Sequence, residues 1–196
     1  MNRYFFALGL GPAFALGACG GTANNSTTTT VDNVATVDAL APDNTTMDDN
    51  AMMAAPASSG QRFADAAGAS DYYEVEAGKL AQEKATSQAL KDFGGMMVTA
   101  HTDSTEKLKA AGAKANPAIT PNPVLTAEQE ANLAALRDAS GAAFDTAYKT
   151  QQVAAHEKAL AAIKDYAANG DVPELKAWAG DTAKVVQMHL DKIKGM

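Results

Sequence analysis

Residues 141–168 read GAAFDTAYKTQQVAAHEKALAAIKDYAA. Phe144, Tyr148, Gln152, His156, Leu160 and Ile163 recur every three or four positions, the spacing that places side chains on one face of an α-helix. Alanine, the strongest helix former, is the commonest residue between them. A strand would need alternation at every second residue, and none persists. One of the residues on this apolar face is a histidine, His156. A buried imidazole must find a partner for its ring nitrogens, so this helix carries both the core and the first hint of a site.

The flanking segments punctuate further helices. Asn169-Gly170 stops the helix. Asp171-Val172-Pro173-Glu174 opens the next one with an N-cap aspartate, a first-turn proline and a carboxylate three residues on. That last helix is expected to reach about Lys194, with Leu175, Trp178, Val185, His189 and Ile193 inward. Upstream, Ser140-Gly141 breaks off a short helix that ends at about Asp138 and begins at the capping box Thr126-Ala127-Glu128-Gln129. Gly112 to Leu125 holds Pro117, Pro121 and Pro123 and must be a loop. Before it, about Gln88 to Ala111 forms a helix with Leu90, Met97, His101 and Leu108 on its stripe. Gly94 and Gly95 weaken that helix by about 1 kcal/mol each relative to alanine, with close helix approach as the compensating use. Thr86-Ser87 separates it from a first helix over about Gln61 to Ala85, where Phe63, Tyr73, Ala77 and Leu80 form the stripe and Tyr72 and Glu76 lie beside it.

Four main helices in two tightly turned pairs, joined by a longer crossover, predict an all-α fold. The expected architecture is an antiparallel four-helix bundle, ferritin-like, with an extra short helix in the crossover, over residues 61–196.

The N-terminal part reads differently. Residues 1–18 have the pattern of a secretory signal: Arg3, then an apolar run from Tyr4 to Leu16 that is short for a membrane span. The run ends in Leu16-Gly17-Ala18-Cys19, which resembles the bacterial lipobox, and Cys19 is the single cysteine of the chain. The resemblance implies an acylated Cys19 and a membrane partner reached through the lipid anchor, in the bacterial cell envelope. Gly20 in place of an aspartate leans towards the outer membrane. From Cys19 to Gly60 the composition is Thr, Asn, Ala, Asp and Ser with no lasting period, as expected of a disordered tether.

The formal net charge is -7. Residues 20–60 hold five aspartates and no Lys or Arg, whereas the remainder from Arg62 has 15 basic and 18 acidic residues. No basic stripe is available to neutralise phosphates, which argues against nucleic-acid binding.

Several motifs occur in order along the helical region: Glu74-Val75-Glu76-Ala77-Gly78-Lys79-Leu80-Ala81, Met97-Val98-Thr99-Ala100-His101, Gly141-Ala142-Ala143-Phe144-Asp145-Thr146-Ala147-Tyr148, His156-Glu157-Lys158-Ala159 and His189-Leu190. Over about Arg62 to Lys194 they resemble the bacterial exported ferritin-like family labelled domain of unknown function 4142, also called predicted outer-membrane proteins. The resemblance implies a four-helix bundle in the cell envelope and brings no activity with it.

His101, His156 and His189 fall on the inward stripes of three helices, and Glu76 falls on that of the fourth. With both tight turns taken to lie at one end, their heights agree within roughly 12 Å along the bundle. The simpler reading is that the histidines are hydrogen-bonded core residues that fix helix register, in a non-catalytic envelope module with an interaction or stress role. The alternative is a site for a transition metal or small ligand built from Glu76, His101, His156 and His189, which suits zinc or copper. A diiron oxidase centre does not fit, because the residues three before the histidines are Val98, Val153 and Val186 rather than glutamates. Met96, Met97 and Trp178 read as core filling, Tyr148 as a packed ring with its hydroxyl bonded, and Asp145 as an acidic residue of an early helical turn.

Overall fold

The computed structural model describes residues 57–196. The signal segment 1–18, Cys19 and the tether up to residue 56 lie outside the described residues. Five helices follow in order: α1 Ser59–Lys84, α2 Gln88–Lys114, α3 Ala127–Asp138, α4 Gly141–Asn169 and α5 Pro173–Lys194. Among the described residues there is no strand, and no helix is long and apolar enough to cross a membrane.

Local chemistry accounts for the helix ends. Thr126 accepts from the Gln129 backbone N–H while the Gln129 side chain accepts from the Thr126 N–H, so the capping box opens α3 as expected. The break before α4 is a true interruption: Gly141 has φ 58°, a left-handed conformation suited to glycine. Gly170 ends α4 for a different reason than a left-handed cap, since its φ is -60°. A Cβ there would lie 2.6 Å from the Tyr166 ring, so only glycine fits. Asp171 is not the N-cap of α5; Val172 holds that place ahead of Pro173. The Asp171 carboxylate instead accepts the Tyr166 hydroxyl at 2.9 Å. α2 runs to Lys114, a turn beyond the expected Ala111, before the proline loop takes over.

α1 packs mainly on α2, and α4 mainly on α5, with fewer contacts joining α2 to α5 and α1 to α4. Glycine sets the first pairing. A Cβ on Gly78 would come within 2.7 Å of the Gly94 carbonyl, and a Cβ on Gly94 within 2.7 Å of the Gly78 carbonyl. The weakness that Gly94 introduces into α2 is thus offset by a backbone-to-backbone approach. Replacing Gly78 with Val is expected to lower stability by about 2–3 kcal/mol through overpacking. Gly180 of α5 meets nothing within 4 Å, so Gly180→Ala should raise stability by about 0.5–1 kcal/mol. Urea unfolding of both variants checks the contrast.

The turns of the two pairs do not share an end, contrary to the assumption behind the height estimate. Asp145, in the first turns of α4, accepts hydrogen bonds from the Thr86 backbone N–H at 2.9 Å and from the Thr86 hydroxyl. Gly60, at the start of α1, lies against Val172 and Tyr166. The start of α4 therefore sits beside the α1–α2 turn, and the α4–α5 turn sits beside the start of α1. Measured from the Thr86–Asp145 contact, Glu74, His101 and His156 are each roughly 11–15 residues along their helices, so they still stand at similar heights.

The core is continuous. Tyr73, Phe93, Met97, Leu108, Leu133, Leu136, Phe144, Tyr148, Leu175 and Ile193 are all fully buried. Val185 was expected inward but is 42% exposed, and the buried neighbour is Val186. The two are consecutive and equally apolar, so hydropathy alone does not choose between them.

Candidate metal centre

His101 of α2, His156 of α4 and His189 of α5 are buried side by side. Their ring centroids are 5.9 Å (His101–His156), 5.7 Å (His101–His189) and 5.6 Å (His156–His189) apart. One nitrogen from each ring lies within 4.8 Å of the others. The three residues that sequence periodicity singled out are therefore brought together.

Glu76 does not join them. It is half-buried and accepts from Lys79 at 2.7 Å on the outer side of α1. The carboxylates that reach the histidines are Asp71 and Glu74, only 5% and 2% exposed. Each residue advances roughly 100° around a helix, so Glu76 lies roughly 200° from Glu74 and faces away. The buried residues of α1 include Tyr73 and Ala77 of the expected stripe, together with Ala64, Gly68, Asp71, Glu74, Gly78 and Ala81. Apart from Tyr73 and the two carboxylates these are glycine and alanine, and their hydropathy contrast is too low for a periodicity reading to place Asp71 and Glu74 inward. The signal that could have found it is the glycine and alanine spacing itself, which marks where another helix comes close.

Two outer contacts orient the rings. The His101 Nδ1 lies 2.7 Å from Asp71 Oδ1, and the Thr105 hydroxyl donates to the other Asp71 oxygen at 3.3 Å. His156 Nδ1 lies 2.9 Å from the Gln152 carbonyl, which can only accept, so Nδ1 carries the proton and Nε2 carries the lone pair. Gln152 in turn donates from its amide nitrogen to Glu74 at 2.6 Å, tying α4 to α1. Glu74 stands 3.8 Å from His156 Nδ1, beyond hydrogen-bond reach.

The remaining nitrogens are unpaired. His101 Nε2, His156 Nε2 and His189 Nδ1 are buried and have no partner among the described residues. The Tyr148 hydroxyl, expected to be bonded, is also without one. Burial, aided by the charge of Glu74, pushes the Tyr148 pKa up, so the phenol keeps its proton. Orphaned polar atoms in a core are costly, and several in one place call for an occupant or a purpose.

Charge points the same way. Two buried carboxylates face the three imidazoles, and neither pairs with a Lys or Arg among the described residues. Buried charges are normally matched. Burial holds the pKa of His189 down, from 6.5 to about 3, with the neighbouring His101, His156 and Lys192 adding to the effect. Burial likewise lowers that of His156, against the pull of Glu74. His101 differs: burial alone would lower its pKa, but the Asp71 hydrogen bond and the charges of Glu74 and Asp71 outweigh it and raise the value. Two of the three rings are thus held neutral, the form that binds metals.

These shifts fix the pH dependence of the metal-free protein. Below about pH 6.5 an unfolded chain protonates all three histidines, while the fold resists protonation of His156 and His189. The unfolded state then binds more protons, so stability falls as the pH drops from 6.5 towards the folded value of about 3 for His189. His101 acts in the opposite sense: its contribution is complete below 6.5 and is lost as the pH rises through its raised folded value. The expected net slope below pH 6.5 is a loss of about 1.4 kcal/mol per pH unit for each excluded proton. Urea midpoints at several pH values measure it, and His189→Leu should flatten the slope.

Neither a curated protein nor a solved structure matches the chain. Residues 45–196 match one family, and they include every helix of the described residues and all the residues of the histidine cluster. The chain therefore belongs to the family described as Domain of unknown function (DUF4142).

Proposed function

We propose that this protein is a lipid-anchored module of the bacterial cell envelope whose helices form an antiparallel, ferritin-like four-helix bundle that binds one transition-metal ion through His101, His156 and His189. The observation that carries the reading is the set of three buried imidazole nitrogens without partners, one on each of three helices, with two of the rings oriented by outer contacts. Metal-ligating histidines usually donate their other N–H to a carboxylate or a backbone carbonyl. His101 has Asp71 in that position, and His156 has the Gln152 carbonyl.

The donor set suits zinc or copper, since imidazole is a preferred ligand of both. At a metal–nitrogen distance of about 2.0–2.1 Å, ligating nitrogens stand about 3.3 Å apart in a tetrahedral site. The observed limit of 4.8 Å requires ring shifts on the order of 1 Å to close the set. Asp71 and Glu74 balance the charge of a divalent ion. The helical position of these carboxylates, both on α1, supports a single-ion site and not a diiron one. When bound, the ion supplies Lewis acidity; the protein's own groups orient the rings and exclude water from them.

Adding zinc to the metal-free protein should stabilise it by about 2.7 kcal/mol at a hundredfold excess over Kd, on the order of 10 °C in Tm. An unchanged Tm would refute the reading. The anchor is tested separately. Cys19→Ala should abolish incorporation of labelled fatty acid, and incorporation in that variant would exclude Cys19 as the acylated residue.

A further inference from the structure

A cavity of about 560 Å³ opens between α1, α3, α4, α5 and the proline loop, and the buried Asp71 and His101 contribute to its lining. Its volume falls within the range of small-molecule sites, about 300–1,000 Å³. Its origin lies in two pillars that hold α1 away from α4. At one end Phe63 stacks on Tyr166 with centroids 3.7 Å apart and meets Trp178 edge-on at 5.9 Å. At the other, the Tyr73 hydroxyl donates to Gln151 at 3.1 Å. Phe63 and Tyr73 are roughly 15 Å apart along α1. The facing positions between them, Ala66 and Ala67 on α1 and Ala155 and Ala159 on α4, are too small to fill the gap.

The lining specifies what would fit. Its walls are aromatic and aliphatic, with Phe63, Tyr73, Ile163, Trp178 and Val186 contributing. At the rim, Arg62 and Lys158 are matched by Asp65 and Glu128, and Lys158 is paired with Glu128 at 2.6 Å. The rim therefore carries no net charge to select an ion. Inside, Asp71 is engaged by His101 and Thr105, and the Tyr73 hydroxyl by Gln151. Trp178 lines the cavity with its ring, and its indole N–H is itself buried out of reach of that space.

We infer that this cavity binds a neutral, mainly aromatic small molecule packed against the rings of Phe63, Tyr73 and Trp178, with the inner end of the ligand against His101. The inference stands on the cavity, its apolar lining and its charge-matched rim, independently of whether a metal occupies the histidines.

The probe is 6-propionyl-2-dimethylaminonaphthalene, a neutral aromatic ketone whose emission shifts to the blue in apolar surroundings, titrated into the full chain with and without zinc. Saturable one-to-one binding is expected in both conditions. Ala155→Phe, which places a ring in the cavity, should weaken binding about tenfold or more, the effect of losing one buried aromatic group's contact area. If that variant loses its helical circular dichroism, Ala159→Leu serves the same purpose. The anionic 1-anilinonaphthalene-8-sulfonate should bind at least about tenfold more weakly than the ketone, the difference expected from leaving a charge without a partner. Absence of saturable binding, binding insensitive to the cavity-filling variant, or preference for the anion would overturn the inference. Zinc binding retained in Ala155→Phe would show that the cavity and the histidine site fail or stand separately.

Discussion

Replacing His156 with Gln is expected to lower zinc or copper affinity by more than about a hundredfold. Loss of an outer partner typically costs 10–100-fold, and His156 is proposed as a direct ligand. Its Nδ1 is committed to the Gln152 carbonyl, so Nε2 is the atom available to a metal, and Nε2 has no protein partner among the described residues. The metal-free fold should lose only about 1–2 kcal/mol, for the Nδ1 bond to the Gln152 carbonyl, because Nε2 has no bond to protein to lose. Competition with a chelating dye gives the affinity, and urea unfolding of the metal-free protein gives the stability. A structural histidine would show the reverse pattern: a loss of about 3 kcal/mol or more with metal affinity unchanged.

Asp71→Asn carries the second large effect, an expected 10–100-fold loss of affinity. The amide is nearly the same shape and can still accept from His101 Nδ1, so ring orientation survives. What disappears is a buried negative charge 2.7 Å from the imidazole. That charge favours a cation among the three rings. It also raises the pKa of His101 against the opposing influence of burial. In Asp71→Asn the His101 pKa should therefore fall, readable as a lower midpoint in an NMR titration of the metal-free protein. Weaker metal binding together with a lowered His101 midpoint would identify Asp71 as an electrostatic and orienting partner. A merely structural aspartate would change stability and leave the affinity alone.

How far these features were legible in the sequence depends on side-chain contrast. α4 alternates large buried residues with alanine at a steady interval, and its register from Phe144 to Ile163 is the one observed. The histidines were found because a titratable residue on an apolar stripe stands out. α1 offers no such contrast. Its buried face is largely glycine and alanine, while Tyr72, which looks like a core residue, is 50% exposed. The expected stripe is nonetheless inward, with Tyr73 and Ala77 buried and Phe63 and Leu80 packed against the core; the error is confined to the choice of Glu76 over Asp71 and Glu74, which face inward. Val185 and Val186 show the same limit at a single step on α5. The arrangement of helix ends was not legible for another reason: it rests on contacts between distant residues, such as Asp145 with Thr86, that no local pattern encodes. The cavity belongs to this class too, since it depends on Phe63, Tyr166 and Trp178 meeting across three helices.

Equilibrium dialysis of the metal-free protein, prepared without a histidine tag, against zinc tests the central claim most directly. One ion per chain is predicted, with binding lost when His101, His156 and His189 are all replaced by Gln. Zinc uptake no greater than that of the triple variant would contradict the account and leave the three histidines as core residues without a metal.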